Sequence, residues 1–342
     1  MANRDVLAIG TSAGGVEALR YLAQRLPREF PAAVLVTIHL PGHARSSLDE
    51  ILSRAGPLPA AFARHGEPVS KSRIYIAPPD RHLLIDADGG RLLLGEGPRE
   101  NNTRPAIDPM LRSTALCCGS RMVGAVLTGT LGDGASGLWA VRQCGGLIVV
   151  QDPEDAAFSE MPLTALSRAK PDHVVRLADM PALLGDLASQ PAGVAKPVPA
   201  SLKFEVAVAK SGRGSMKEMD RIGHRSVLGC PDCGGVMWEI DEDDLIRYRC
   251  HVGHTYTAEL MSLAIDDGLR RALASALRAL EERVALAQKL ERQATAAGHR
   301  LLADNWADKG REFERELDII RDSIRRIDRI AAEAERQQAA AE

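Results

Sequence analysis

The chain has 342 residues, with 43 Lys and Arg against 46 Asp and Glu and a formal net charge of −3 at pH 7. At this length we expect at least two domains, because domains typically run to about 100–200 residues. The balanced charge lacks the basic excess of a protein whose main partner is nucleic acid or an acidic membrane surface. The sequence shows neither a signal-peptide core nor an apolar run long enough for a membrane span, so we expect a cytoplasmic protein without membrane insertion.

From Val6 to about Leu187 the chain alternates short β-branched runs with helical patterns. The runs are apolar almost throughout, as strands covered on both faces are. They read DVLAIG, AAVLVTIHL, RMVGAVLTG, GGLIVVQD and DHVVRL. This alternation predicts an α/β fold with a doubly wound, mostly parallel sheet. The stretch RHLLIDADGGRLLLGEG breaks the alternation and predicts an inserted β-hairpin, because two apolar runs flank Asp-Gly-Gly.

The second half of the chain divides into three further segments after a first domain over 1–188. Residues 189–223 are rich in proline and small residues, and they predict a linker with one short strand. A compact Cys/His segment covers 224–256. Residues 257–342 carry apolar seams at spacings of three and four, interrupted near Gly298, and predict an antiparallel helical hairpin or coiled coil. An ordinary helix pair with a solvated face and a coil that binds a partner both fit the seams, which consist of Leu273, Leu277, Leu280, Val284, Ala287, Phe313, Leu317, Ile320, Ile324 and Ile327.

The stretch LAIGTSAGGVEAL, residues 7–19, places a lone hydroxyl at Ser12 between an apolar run and an amphipathic one. A turn that cradles a phosphate at a helix N-terminus and a nucleophile on a sharp strand-to-helix elbow both fit this position. The five residues from Gly10 match GxSxG, whereas no GxGxxG, Walker lysine or ribose-binding acid accompanies them. The pattern therefore favours a nucleophile, and a small-residue turn without chemistry is the alternative.

A serine hydroxyl needs a base to take its proton and a carboxylate to orient that base. In a parallel sheet these groups come from the carboxyl ends of other strands. His39 closes the run AAVLVTIHLP and Asp133 closes GAVLTGTLGDG, so both lie where such partners are expected. On spacing alone, an ordinary turn also explains the Asp-Gly pair at Asp133. Spacing also leaves four other histidines open as the base, namely His43, His65, His82 and His173.

Several blocks, taken together and in this order, resemble the catalytic domain of the bacterial chemotaxis methylesterase family, CheB. They are AIGTSAGGVEAL, IHLPGHARSSLDEIL, YIAPPDRHLLI, RPAIDPMLRSTA, GAVLTGTLGDGASGL and VQDPEDAAFSEMP, and the resemblance covers about residues 5–188. It implies that Ser12 is the nucleophile, His39 the base and Asp133 the orienting acid.

The same resemblance implies that the backbone N–H groups of Ala13 and Thr130 stabilise the oxyanion. Thr130 departs from the family pattern, which usually has methionine there. A backbone donor survives that change, but the wall of the site becomes smaller and more polar.

The resemblance implies hydrolysis of γ-glutamyl methyl esters on the cytoplasmic domain of a methyl-accepting chemoreceptor, with release of methanol, and deamidation of certain glutamines. Catalysis of this kind needs no cofactor. Family members typically carry an N-terminal receiver domain, which we do not expect here, so control falls to a regulatory protein partner or another part of the chain, or is absent. The alternative is a CheB-like binding protein with weak or no turnover that acts through its Cys/His segment and helical tail. The intact serine, histidine and aspartate favour the enzyme.

The cysteines fall in two groups, which indicates buried thiols and a metal site rather than a disulfide framework. The second group has metal-ligand spacing, a CxxC pair followed by a cysteine and a histidine: Cys230, Cys233, Cys250 and His254. Thiolates with one imidazole select zinc over magnesium or calcium, and four protein ligands leave no open position. The sequence therefore predicts a structural zinc. His251 is an alternative fourth ligand, although it directly follows Cys250, and a reduced cysteine cluster in a small core is the alternative to a metal.

Overall fold

The computed structural model describes residues 2–40, 46–87, 90–212, 214–242 and 245–341, with side chains as far as residue 329. The chain forms two compact units, Met1–Met261 and Ser262–Glu342. No helix among the described residues is both long enough and apolar enough to cross a membrane.

The core of the first unit is a parallel sheet. Seven strands form it in the order β3-β4-β2-β1-β7-β8-β9, and every neighbouring pair is parallel. The predicted doubly wound, mostly parallel sheet is confirmed, and all five apolar runs are strands of it. The strands up to this point are β1 (Val6–Thr11), β2 (Ala33–Ile38), β3 (Ala60–Phe62), β4 (Ile74–Ile76), β5 (His82–Ile85), β6 (Leu92–Gly95), β7 (Met122–Val126), β8 (Leu147–Gln151) and β9 (His173–Val175).

Helices cover both faces of this sheet. Alternate side chains of β1 point to opposite faces, so Val6 and Ala8 lie in one core and Leu7 and Ile9 in the other. Because both faces are covered, every residue of β1 and β2 is buried, which explains why their sequences are apolar throughout. The helices are α1 (Gly15–Arg25), α2 (Leu48–Ala55), α3 (Ile107–Cys118), α4 (Ala135–Gln143), α5 (Glu160–Ala169) and α6 (Met180–Ser189), with a 3₁₀ turn at Gly119–Arg121.

The strand order reverses beside β1, which has β2 on one side and β7 on the other. The loops that leave the carboxyl ends of these three strands therefore converge at a switch point, where parallel α/β proteins bind ligands. Ser12, His39 and Asp133 all belong to these loops.

The predicted β-hairpin is confirmed as the antiparallel pair β5 and β6. It is held against α3, since the Ser113 hydroxyl accepts a hydrogen bond of 3.2 Å from the backbone N–H of Ile85. Asp88 and Gly89, two of the three predicted turn residues, lie outside the described residues.

The prediction of a linker with one short strand over 189–223 is wrong, because this segment forms α7 (Ala200–Ser211) and α8 (Met216–Ile222). The stretch SLKFEVAVAK alternates apolar and other residues as a strand does. The buried residues follow the helical period instead of the strand period, since Leu202, Glu205 and Val208 lie buried on one face of α7. A capping box between Ser215 and Glu218 begins α8.

The Cys/His segment folds as a small antiparallel sheet, β10-β11-β12-β13. Its strands are β10 (His224–Gly229), β11 (Val236–Glu242), β12 (Leu245–Cys250) and β13 (Thr255–Thr257). We call residues 224–257 the Cys/His module. The apolar cluster on its β11 side is small, with Trp238 and Ile240 packed on Met219 of α8.

The second unit is a helical hairpin, as predicted. Helix α9 (Ala258–Ala296), which begins in the first unit, and helix α10 (Arg300–Ala341) are separated by a turn in which Gly298 has φ +76°. Antiparallel packing is shown by Arg321 Nη2 at 3.0 Å from Glu281 Oε1 and by Gln288 Nε2 at 3.4 Å from Glu314 Oε1.

Six charged side chains are buried together where α3, α7 and the Cys/His module meet. Glu205 of α7 is central, since its two carboxylate oxygens lie 2.5 Å from Arg247 Nη2 and 3.2 Å from Arg249 Nη1. Arg247 also contacts Glu242 at 2.6 Å, and Arg249 Nη2 lies 3.5 Å from Glu100 Oε1. The cluster, which we call the buried ion cluster, consists of Glu100, Arg112, Glu205, Glu242, Arg247 and Arg249.

Burial alone would raise the pKa of Glu205, but Arg247, Arg112 and Arg249 outweigh it and lower that pKa to about 2. A lowered carboxyl pKa stabilises the fold above the unfolded value of 4.5, and this stabilisation is lost as pH falls from there towards 2.

We therefore expect Glu205→Gln to lower the free energy of unfolding at pH 7 by about 3–5 kcal/mol, because it leaves buried arginines without their counter-charge. The variant should also lose less stability than the wild type between pH 4.5 and pH 2. Urea unfolding followed by circular dichroism measures both effects, with Glu17→Gln on the exposed side of α1 as the control. Equal stabilities for wild type and Glu205→Gln at pH 7 would contradict the central role of this carboxylate.

Candidate active site and metal-ligand cluster

Ser12 lies in the turn between β1 and α1, held on the sheet by a 3.1 Å hydrogen bond from its backbone N–H to the carbonyl of Thr128. The left-handed residue of this turn is Gly14, with φ +74°, rather than Ser12. A side chain at Gly14 would also meet Ala157 and Thr128 Oγ1, both at 3.1 Å. The GxSxG pattern therefore serves a turn that only glycine can make at its last position.

The loop after β7 runs against this turn. A Cβ on Gly129 would meet the Met161 side chain and lie 2.9 Å from the Cβ of Ser12, so glycine is required for the loop to come this close. The next residue is Thr130. Among the described residues, none accepts a hydrogen bond from the backbone N–H of Ala13 or of Thr130. Both N–H groups are thus unengaged within the described part of the chain, as an oxyanion donor must be before substrate binds.

His39 follows β2 directly and joins the other two residues. Its Nδ1 lies 3.0 Å from Ser12 Oγ, and its Nε2 lies 2.7 Å from Asp133 Oδ2. The neutral tautomer with its proton on Nε2 satisfies both contacts, because it donates to the carboxylate and leaves Nδ1 as an acceptor for the hydroxyl. The structure brings together the three side chains that the sequence singled out.

Asp133 is buried, with its side chain 1% exposed, and its carboxylate accepts hydrogen bonds from several sides. Oδ2 accepts from the backbone N–H of Ile107 at 2.6 Å, at the start of α3, as well as from His39. Oδ1 accepts from the backbone N–H of Asp108 at 3.2 Å and from Asn101 Nδ2 at 2.9 Å. The N-terminus of a helix favours a negative charge, so α3 helps to keep this carboxylate ionised.

The pKa of Asp133 shows the balance of these contacts. Burial by itself would raise it, but the hydrogen bond and charge of His39, the N–H of Ile107 and the amide of Asn101 lower it to about 2. Asp108 is the opposite case: burial, and then the charge of Asp133, raise its pKa well above its usual range. The surroundings of this pair therefore favour the charge on Asp133 over a charge on Asp108.

Asn101 and Asp108 are site residues that the sequence analysis did not identify. Asn101 has φ +50° and its neighbour Asn102 has φ +64°, and consecutive left-handed residues favour asparagine. The Asn-Asn pair was the available signal, but it points to a turn and says nothing about a partner at Asp133.

The other candidate bases lie elsewhere. His82 is buried and structural, since its Nε2 lies 2.9 Å from the Pro98 carbonyl and burial lowers its pKa. His65 accepts a hydrogen bond from the backbone of Leu94, and His173 lies in β9. His43 is outside the described residues.

The predicted metal ligands also come together, in the Cys/His module. One donor atom from each of Cys230, Cys233, Cys250 and His254 lies within 4.8 Å of all the others. His251 is not in this group, and its ring lies beside Gly235 instead. No disulfide joins the six cysteines, all of which lie among the described residues, and Cys233 is the exposed one.

Comparison with known proteins follows the same division of the chain. The CheB methylesterase family model matches residues 7–184. The protein-glutamate methylesterase/protein-glutamine glutaminase of Photorhabdus laumondii is 34% identical over 182 residues, which are 53% of this chain and 52% of that protein. A putative protein of the same description from Leptospira interrogans is 32% identical over 175 residues, 51% of this chain and 90% of that protein.

A solved structure is similar as well. The crystal structure of the Thermotoga maritima CheB methylesterase catalytic domain matches with a TM-score of 0.52 and 31% identity, over 55% of this chain and all of that one. The chain spans about half the length of the first relatives it matches. The family-model match ends at residue 184, before the Cys/His module.

The fold and the site define a parallel α/β domain with a serine, histidine and aspartate at its switch point. Because the family model covers more than half of the chain, the protein belongs to the CheB methylesterase family.

If His39 supplies the main contact that keeps Asp133 charged, His39→Ala should raise the pKa of Asp133 from about 2, because burial then acts against fewer donors. Carboxyl ¹³C shifts of labelled protein measure that pKa. Asp80 is the internal control, since its pKa is lowered by a hydrogen bond from Arg104 and is independent of His39. An unchanged Asp133 titration in the variant would contradict the geometry of the pair.

Proposed function

We propose that this chain is a protein-glutamate methylesterase that removes methyl groups from γ-glutamyl esters on the cytoplasmic domain of a methyl-accepting chemoreceptor. The observation that carries the proposal is the contact chain from Ser12 Oγ through the two nitrogens of His39 to Asp133, at 3.0 and 2.7 Å. The names of the relatives support it, as they pair methylesterase with glutaminase activity. The cytoplasmic location belongs to the same proposal.

Each side chain has a defined part in this reaction. Ser12 Oγ attacks the ester carbonyl carbon while His39 Nδ1 takes the hydroxyl proton, and Asp133 holds the Nε2–H and stabilises the imidazolium. The tetrahedral oxyanion is stabilised by the backbone N–H groups of Ala13 and Thr130. Collapse breaks the ester C–O bond, and methanol leaves with the proton from Nδ1.

A water molecule then completes the cycle. It attacks the acyl carbon and gives a proton to His39 Nδ1, and that proton returns to Ser12 Oγ as glutamate is released. A glutamine side chain follows the same route with ammonia in place of methanol, so one site serves both reactions that the names of the relatives describe.

We expect Ser12→Ala, His39→Ala and Asp133→Ala each to reduce the esterase rate by about three orders of magnitude or more, and combinations to be little worse, because the residues act as a unit. The measurement is methanol release from methylated receptor fragments. Ser167→Ala, on the exposed side of α5, is the matched serine control and should leave the rate unchanged.

Full activity in Ser12→Ala would remove the nucleophile assignment. A wild-type protein that releases no methanol but binds the receptor fragment would instead favour the CheB-like binding protein as the function.

A further inference from the structure

The donor atoms of the Cys/His module have the spacing of a tetrahedral zinc site. Zn–S bonds of about 2.3 Å and a Zn–N bond of about 2.0–2.1 Å put two sulfurs roughly 3.8 Å apart and a sulfur and a nitrogen roughly 3.5 Å apart. The Sγ atoms of Cys233 and Cys250 are 3.8 Å apart. His254 Nδ1 lies 3.6 Å from the sulfur of Cys230 and 3.5 Å from that of Cys250.

Two tight turns present these ligands. The Cys230 carbonyl accepts a 2.8 Å hydrogen bond from Gly234, which has φ +70°, and the Cys250 carbonyl accepts one of 2.9 Å from Gly253, which has φ +110°. The module has only a small apolar cluster, around Trp238. Domains of this size commonly gain stability from a structural metal.

The turn that carries Cys250 and His254 is linked to the catalytic domain through contacts of the next strand, β13. His254 is followed by β13, and the two ends of this strand hold Asn101. The backbone N–H of Asn101 donates to the Thr255 carbonyl at 2.8 Å, and its Oδ1 accepts from the backbone N–H of Thr257 at 3.3 Å. Asn101 is 3% exposed, so no water competes freely for these contacts.

The hydrogen bond from the Thr257 N–H to Oδ1 fixes the orientation of the Asn101 side-chain amide. With Oδ1 turned to Thr257, the Nδ2 group faces two carboxyls and donates to Asp133 Oδ1 at 2.9 Å and to Asp108 Oδ2 at 3.1 Å. A rotated amide would set its oxygen against the Asp133 carboxylate, which is acceptor-only when charged. Strand β13 therefore fixes a donor on the carboxylate that orients His39.

A second contact reinforces this one from the neighbouring residues. Glu100 precedes Asn101, and Arg249 precedes the ligand Cys250. Arg249 Nη2 lies 3.5 Å from Glu100 Oε1, and both side chains are buried. The segment that carries Asn101 is thus attached to the module through its main chain, its amide and an ion pair.

We propose that Cys230, Cys233, Cys250 and His254 bind one zinc ion, and that zinc binding positions Asn101 on Asp133 through β13, so that the metal controls turnover from outside the active site. The effect on turnover rests on the proposed esterase function. Zinc binding and its effect on Asn101 do not. Asn101 is a positioning residue, because it acts on the substrate only through Asp133 and His39.

The first experiment measures the metal and the contact without using activity. Purified full-length protein should contain about one zinc per chain, and Cys233→Ser, at the exposed ligand, should lose it. Hydrogen exchange should then accelerate in the peptides that contain Asn101 and Thr257, and stay unchanged in β2. Cys117→Ser, at a thiol outside the cluster, is the matched control and should retain zinc and protection.

The second experiment measures turnover. Asn101→Asp keeps the left-handed preference and the acceptor for Thr257, but replaces the donor that faces Asp133 with an oxygen. We expect kcat for methyl ester hydrolysis to fall about tenfold or more, KM to change little and zinc content to stay normal. Asn102→Asp makes the same change at the neighbouring exposed residue of positive φ and should leave kcat unaltered.

Chelation of the wild type should lower kcat by a similar factor, and added zinc should restore it. Metal-free protein with full kcat, or unchanged exchange at Asn101 and Thr257 after zinc loss, would overturn the proposal. Absence of zinc from freshly purified, reduced protein would overturn it as well. An inactive wild type with normal zinc and the expected exchange response would contradict the proposed function alone, and leave the metal-dependent contact in place.

Discussion

The charge on the buried Asp133 carboxylate is the constraint on which the rest of the site depends. Burial acts against this charge, and hydrogen bonds from a histidine, a helix N-terminus and an asparagine overcome it. A charged carboxylate then fixes the proton of His39 on Nε2 and leaves Nδ1 for Ser12. Without the charge, the imidazole has neither a fixed tautomer nor a stabilised cationic form.

The donors around Asp133 come from separate parts of the chain, and the fold explains how they meet. His39 directly follows β2, and Ile107 begins α3, which packs on the sheet face shared by Val6 and Ala8 of β1. Asn101 comes from the segment between the β-hairpin and α3, where the Cys/His module covers it. The serine and the histidine follow strands of the parallel sheet, whereas the aspartate also accepts a hydrogen bond from Asn101, which contacts a module outside the family match.

Features that are marked by a short-range pattern in the sequence could be predicted. Apolar runs revealed the strands of the sheet, Ser12, His39 and Asp133 could be found at strand ends, and the CxxC pair with a later Cys and His marked the ligand cluster. Strands β3 and β4 were missed because three residues are too few to show a period. Helix α7 was missed because its residues alternate like a strand, and only burial against the rest of the unit selects the helix.

The role of Asn101 could not be predicted, for a different reason. Its partners, Asp133 and Thr257, are 32 and 156 residues away in the chain, and no local pattern records such contacts. The buried ion cluster is similar, since Glu205 was an ordinary glutamate of a supposed linker until α7 placed it beside Arg247 and Arg249.

A double-mutant cycle between Cys233→Ser and Asn101→Asp tests most directly whether the module acts on the catalytic carboxylate through Asn101. The quantity is kcat for methyl ester hydrolysis by the wild type, the two single variants and the double variant. If zinc acts through Asn101, the double variant should be about as slow as the slower single variant, because both changes remove the same contact. Two effects that multiply in full would contradict the account, since the module and the asparagine would then act on turnover independently.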